Sequence, residues 1–196
     1  KRSLRHNCVI DKNKKETIVN LVPIKNKTVL EVGPGTGNLT HLILKQNPKK
    51  FFVVEKDKKL AFNLQEKFEN EIKIINSDIL KINEKLLSEE NLIVFGNLPY
   101  NISTEIICKW ILNLDNDKFW FESLILMFQK EVADRIIAKF NTSNYGRLSI
   151  LSNWKLNIEK ICDIKPESFS PKPKIDSSLL FFTPKNNFYK FKNPKN

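Results

Sequence analysis

At 196 residues, with 41% hydrophobic and 10% aromatic side chains, the chain is long enough for one domain with a real core and too apolar for a disordered one. No apolar run approaches the ~20 residues a membrane helix needs, and no signal-peptide pattern is visible. The net charge of +11 sits at the ends: residues 1–27 carry eight Lys/Arg against two acids, residues 155–196 carry nine Lys against four, and the middle is balanced, a distribution that suggests polyanion binding around a neutral chemical core.

The elements alternate. Asp11 is placed to cap a helix bearing Ile18, Val19, Leu21 and Val22, which Pro23 stops. Thr28 to Val32 reads as a buried strand, followed by a glycine-rich turn and a helix with Leu39, Leu42, Ile43 and Leu44. Phe51 to Val54 is a second strand, Leu60 to Phe68 a helix, Ile72 to Ile75 and Leu92 to Phe95 further strands. Ser103 is placed to cap a helix containing Ile106, Ile107, Trp110, Ile111 and Leu114; Ser123 to Phe128 is a strand. Lys130 to Phe140 reads as a helix with Val132, Ile136, Ile137 and Phe140 on one face. Leu156 to Ile164 and Ser178 to Phe182 are late strands suited to an antiparallel edge. Strands separated by helices predict an α/β fold whose largely parallel sheet is covered on both faces.

The three cysteines, Cys8, Cys108 and Cys162, form no CxxC pair, and His6 and His41 lack ligand-like neighbours, so reduced thiols and no metal site are expected. The only methionine is Met127 and the chain opens on Lys1, so the natural N-terminus is expected upstream. A monomer in the cytoplasm is expected, or in an organelle if that upstream part is a transit peptide.

Two constellations carry chemistry. Glu31-Val32-Gly33-Pro34-Gly35-Thr36-Gly37 follows the first strand and opens a helix, where Gly33 and Gly35 let a ligand approach the main chain. Glu55 ends the second strand, where a carboxylate can accept both ribose hydroxyls, and Asp78 follows the third, where it can accept from an adenine amine. A dinucleotide site is the rival reading; Glu31 favours S-adenosylmethionine, since a carboxylate there can help hold the amino acid's ammonium. The second constellation is Asn97-Leu98-Pro99-Tyr100 at the end of the fourth strand. An adenine N6 amine is a poor nucleophile; acceptors at the Asn97 side chain and the Leu98 carbonyl favour a pyramidal nitrogen, Pro99 fixes the turn, and Tyr100 can stack on the base. The plain alternative is a proline turn with a core tyrosine. Phe169, in Phe169-Ser170-Pro171-Lys172-Pro173-Lys174, is a candidate second wall for a base that has left its stack; Lys172 and Lys174 are candidate phosphate contacts. The alternative there is a proline loop anchored to the core by its Phe.

On these residues, together with Gln129-Lys130-Glu131-Val132, Tyr145-Gly146-Arg147-Leu148-Ser149 and Ile175-Asp176-Ser177, the chain resembles the KsgA-type dimethyladenosine transferases of small-subunit ribosomal RNA, relatives of the Erm methyltransferases, from about Ser3 to Phe182. The resemblance implies a class I, Rossmann-like S-adenosylmethionine-dependent methyltransferase fold with a mostly parallel seven-stranded sheet. It implies cofactor contacts at Asn7, Val9, Gly33, Glu55, Asp78 and Asn97, RNA contacts at Arg147, Lys172 and Lys174, and dimethylation of two adjacent adenines near the 3′ end of small-subunit rRNA. Residues 1–183 are then the catalytic domain and 184–196 a linker, or the start of a C-terminal helical domain that the chain largely lacks. In Ser3-Leu4-Arg5-His6-Asn7-Cys8-Val9 the chain departs from the family's usual Gly-Gln-Asn-Phe-Leu, so an altered entrance to the cofactor site is expected. An Erm-like enzyme acting on large-subunit rRNA and a non-catalytic RNA-binding factor on the same scaffold are the alternatives.

Overall fold

The computed structural model describes residues 8–114 and 118–190. The predicted α/β architecture is found. The elements are β1 (Cys8–Val9), α1 (Lys12–Val19), β2 (Thr28–Val32), α2 (Asn38–Leu44), β3 (Lys50–Glu55), α3 (Lys58–Phe68), β4 (Lys73–Asn76), β5 (Leu92–Asn97), α4 (Ser103–Leu112), β6 (Phe121–Gln129), α5 (Lys130–Ile136), α6 (Arg147–Lys155), β7 (Leu156–Ile164), β8 (Phe169–Ser170) and β9 (Ser177–Pro184). Seven strands form one sheet in the order β4-β3-β2-β5-β6-β9-β7. Neighbours from β4 to β6 are parallel, whereas β9 is antiparallel to both β6 and β7.

Both faces of the sheet are buried because the central strands are apolar at every position but one or two. Successive side chains on a strand point to opposite faces. On β2 and β5, Leu30, Val32 and Val94 face one core, into which α4, α5 and α6 place Ile106, Trp110, Ile136 and Leu148. Val29, Ile93 and Phe95 face the other, filled by Ile18 of α1, Ile43 of α2, and Leu64 and Phe68 of α3. No helix among the described residues is long and apolar enough to cross a membrane.

The helix ends differ from expectation in instructive ways. Asp11 does cap α1, accepting from the Lys14 amide at 3.1 Å, but the helix ends at Val19, four residues before Pro23. Ser103 does not cap α4: it is the first helical residue, and its hydroxyl donates back to the Tyr100 carbonyl at 3.2 Å. Helix α5 stops at Ile136, so Phe140 lies beyond it and is exposed rather than on a buried face. Helix α6 was not expected at all. Its apolar pattern is interrupted by Ser149, Ser152 and Lys155, each of which is nonetheless buried.

Lys155 is the unusual member of that helix, with 1% of its surface exposed. Its ammonium donates to the Leu114 carbonyl at 2.8 Å and lies 4.3 Å from the centre of the Trp154 ring. Phe188 packs edge-on against Trp154 and Phe119, and Trp154 Nε1 donates to the Tyr189 carbonyl at 2.6 Å, so the segment after β9 is tied to the same corner. Replacing Lys155 by Ala removes a charge-assisted donor and opens a void. The expected loss is about 2–4 kcal/mol of unfolding free energy, read as a lower urea midpoint with an unchanged slope.

Candidate active site

The parallel strands β2, β3 and β5 end side by side, and the chemistry-bearing residues sit on the turns that follow them, as expected for ligand sites of open α/β sheets. After β2, Gly33, Gly35 and Gly37 all take positive φ (70°, 59° and 78°). The Gly33 amide donates to the Val54 carbonyl at 3.0 Å, closing the turn against β3. A Cβ on Gly33 would lie 3.0 Å from the Asn97 main-chain oxygen, and one on Gly37 would lie 2.6 Å from the Phe68 ring. The loop therefore lies against the Asn97 turn on one side and α3 on the other. The Lys67 ammonium, donating to the Thr36 carbonyl at 3.2 Å, holds it from outside.

The acids are where the sequence puts them. Glu31, at 2% exposure, accepts from Thr40 Oγ1 at 2.6 Å. Burial pushes its carboxyl up to about 7, the Thr40 hydrogen bond opposes that, and the nearby Glu55 carboxylate adds to it. Glu55, buried at the end of β3, accepts the Asp57 amide at 2.8 Å through Oε1. Asp78 caps the 3-10 turn Ile79–Lys81 through the Leu80 amide at 3.1 Å, and its other oxygen accepts from Lys56 Nζ at 2.6 Å. The Lys56 hydrogen bond holds the Asp78 carboxyl below its usual range, against a smaller opposing effect of burial. An adenine amine reaching Asp78 must therefore share or displace Lys56. A shallow cleft lined by Val32, Gly33, Glu55, Asp78, Pro99 and Ile102, with a cavity volume of about 30 Å³, opens between these turns. A glycine cradle open to a close-lying ligand, ribose- and amine-directed carboxylates and an apolar slot between them fit S-adenosylmethionine.

Asn97 is the last residue of β5; the side chain of Leu98 is buried at 1% exposure and anchors the turn, while Pro99 and Tyr100 stay half-buried. The Tyr100 hydroxyl is hydrogen-bonded to Ser177 Oγ at 2.5 Å. The sequence reading missed Ser177, Lys56 and Thr40; only the Ser177 position within the Ile175-Asp176-Ser177 motif offered a signal.

The remaining candidates fall differently. Asn7 lies outside the described residues. Val9 pairs with Phe169, and Cys8 with Ser170, in a separate two-stranded sheet of β1 and β8. The open wall expected of Phe169 is not present: the ring is 3% exposed and packs in the core that also holds Val9. Burying a phenyl ring is worth about 2–3 kcal/mol, which favours the anchoring alternative, and a base reaches this ring only when what covers it moves. Lys172 is paired with Glu167, so its charge is partly answered within the loop, whereas Lys174 and Arg147 are exposed.

Glu31 yields a stability test. Well below pH ~4.5 it is protonated in both folded and unfolded chains; above about 7 it is ionised in both, but only in the folded protein is that charge desolvated. Its contribution to stability therefore falls as pH rises from about 4.5 to about 7. Glu31→Gln should raise the melting temperature of the ligand-free protein by several °C at pH 8 and change it little at pH 4, as measured by scanning calorimetry.

Comparison with known proteins converges on one group. The family model for ribosomal RNA adenine dimethylase matches residues 1–195. Ribosomal RNA small subunit methyltransferase A of Pelagibacter ubique is 67% identical over 196 residues, covering all of this chain and 74% of that protein. The Wolbachia pipientis protein of the same name is 44% identical over 188 residues, and the chain spans 64% of its length. Among solved structures, a dimethyladenosine transferase from Plasmodium falciparum superposes with a TM-score of 0.80 at 30% identity over 91% of this chain and 63% of that one. The 23S rRNA methyltransferase ErmE superposes with a TM-score of 0.76 at 26% identity over 96% and 75%. The chain belongs to the ribosomal RNA adenine dimethylase family of S-adenosylmethionine-dependent methyltransferases.

Proposed function

We propose that this chain dimethylates the N6 amines of two adjacent adenines near the 3′ end of small-subunit rRNA during assembly of that subunit, acting as a cytoplasmic monomer. The observation that carries the reading is the contact of Gly33 with the Asn97 main chain, which sets the donor loop and the amine-gripping turn edge to edge. The 67% identity to a small-subunit enzyme favours that substrate over the large-subunit one. Residues 1–183 act as the catalytic domain; the packing of Phe188 on Trp154 supports treating the chain after Pro184 as a lead-out docked on it.

S-adenosylmethionine, when bound, supplies an electrophilic methyl group. The protein's part is positioning and polarisation. Glu31 and Glu55 answer the ammonium and ribose ends of the donor, and Asp78 answers its adenine. The Asn97 side-chain oxygen and the Leu98 carbonyl accept hydrogen bonds from the target amine and favour a pyramidal nitrogen whose lone pair is drawn out of conjugation with the ring. Tyr100, its hydroxyl fixed by Ser177, offers its ring to the base. As the amine nitrogen takes the methyl group, the methyl–sulfur bond would break to leave a neutral thioether, and the proton of the resulting ammonium would then pass to solvent, so no strong general base is needed. Phe169 joins as a second wall only if its cover opens, and Lys174 and Arg147 meet phosphates.

Incubating the protein with labelled donor and immature small subunits, and separately with naked large-subunit RNA, should place label only on two adjacent small-subunit adenines. Label confined to large-subunit RNA overturns the substrate, and donor binding without transfer to either overturns the activity. Asn97→Ala should lower single-turnover methyl transfer at least ~100-fold while leaving the fold intact by circular dichroism; substantial turnover by this variant would refute the role given to Asn97.

A further inference from the structure

We propose that Phe140 and Tyr145 form a stacking platform for an unpaired base of the substrate RNA beside the adenine being methylated. The proposal rests on the rRNA reading above and adds a surface to it. Phe140 is 75% exposed and Tyr145 38% exposed, and their rings meet edge to face at 5.7 Å and 90°. That geometry leaves ring face open to solvent. Neither ring belongs to the two hydrophobic cores.

The loop between α5 and α6 holds the pair in place. The Thr142 amide donates to the Lys139 carbonyl at 3.2 Å, its hydroxyl donates to the same oxygen at 2.7 Å, and the Tyr145 amide donates to the Thr142 carbonyl at 3.0 Å. The Gly146 amide donates to Ser149 Oγ at 2.9 Å, fixing the loop to α6. The rings are thus presented on a turn-braced segment, which lowers the ordering cost of binding.

Charge identifies the occupant. From Arg135 to Ile158 the sequence contains no Asp or Glu, while Arg135, Lys139 and Arg147 are exposed. Among the described residues none of these three makes an ion pair with a carboxylate. Cations beside an open aromatic pair suit a polyanion that also offers flat faces, the combination by which proteins hold single-stranded nucleic acid. An acid-free apolar patch on a protein partner would find no use for the cations.

Position links the patch to the reaction. The start of α4 is tied to the catalytic turn by the Ser103–Tyr100 hydrogen bond. Helix α6 packs beside α4, and its last residue, Lys155, reaches Leu114 just past the end of α4. The two helices therefore run the same way, which places Arg147, next to Tyr145, at the same end of the sheet as Tyr100.

The test uses the intact chain, a fluorescently labelled oligonucleotide of the small-subunit rRNA 3′ end, and immature subunits. Phe140→Ser and Tyr145→Ser should each weaken oligonucleotide binding and raise KM for subunits roughly tenfold. Donor affinity, melting temperature and kcat at saturating subunits should stay unchanged. Phe140→Trp should bind as well as the parent, and Lys139→Gln should instead flatten the salt dependence. Equal RNA affinity in the serine variants, with the parent methylating normally, overturns the platform alone. So does a serine variant that changes sedimentation instead of RNA affinity, which would assign the rings to a second copy of the chain. A parent protein that neither binds nor methylates small-subunit RNA overturns the platform and the functional reading together.

Discussion

Gly33 follows β2 and Asn97 ends β5, two parallel strands at the middle of the sheet, and their main chains come so close that a methyl group on Gly33 would crowd the Asn97 oxygen at 3.0 Å. The obstacle to a side chain at Gly33 is a backbone oxygen within a sheet, which cannot swing aside as a side chain can. Gly96, paired with Val32 one step earlier, is hemmed in by Leu126 and Leu98. Two glycines on neighbouring strands thus let the turn after β2 and the turn after β5 lie edge to edge. Their separation is set by strand spacing rather than by flexible side chains, the kind of constraint that fixes the geometry between two bound reactants.

Around those turns the charges are sorted. The carboxyl groups of Glu31 and Glu55 are buried below the turns after β2 and β3, while Arg147 at the start of α6 and Lys174 on the loop before β9 are exposed. Between them runs an ion-pair network in which Lys130 and Lys160 both bridge Asp134 and Asp163. Burial raises the Asp163 carboxyl, but hydrogen bonds from Lys160, Ser178 and Lys130 outweigh it and hold the group well below the usual carboxylate range. The Lys130 amide also donates to the Asp176 carbonyl at 3.0 Å. The network therefore pins the loop before β9 to the start of α5, one residue from Ser177 and hence from the hydroxyl that holds Tyr100.

The central sheet was legible because strands buried on both faces read as continuous apolar runs, as in Leu92 to Phe95. The glycine turn, Glu55, Asp78 and Asn97 were legible because they occupy strand ends, where a sequence pattern and a position in space coincide. What stayed hidden depends on contacts between distant segments. Helix α6 buries Ser149, Ser152 and Lys155, polar residues whose burial depends on partners such as the Leu114 carbonyl 41 residues away. The Lys56–Asp78 and Lys172–Glu167 pairs are choices among many nearby opposite charges, and no spacing rule selects them. Phe140 misled because apolar periodicity continued past Ile136, although the helix did not.

The short antiparallel pairing of β1 with β8 joins two segments far apart in the chain. Val9, beside the expected donor entrance, is in register with Phe169, beside the expected base, and the Ile10 amide donates to the Ser168 carbonyl at 2.8 Å. A clasp of this kind couples two segments about 160 residues apart in sequence through main-chain bonds. Neither segment can then shift without breaking the same few backbone hydrogen bonds, so the start of the described chain and the turn before β9 are constrained to move as one.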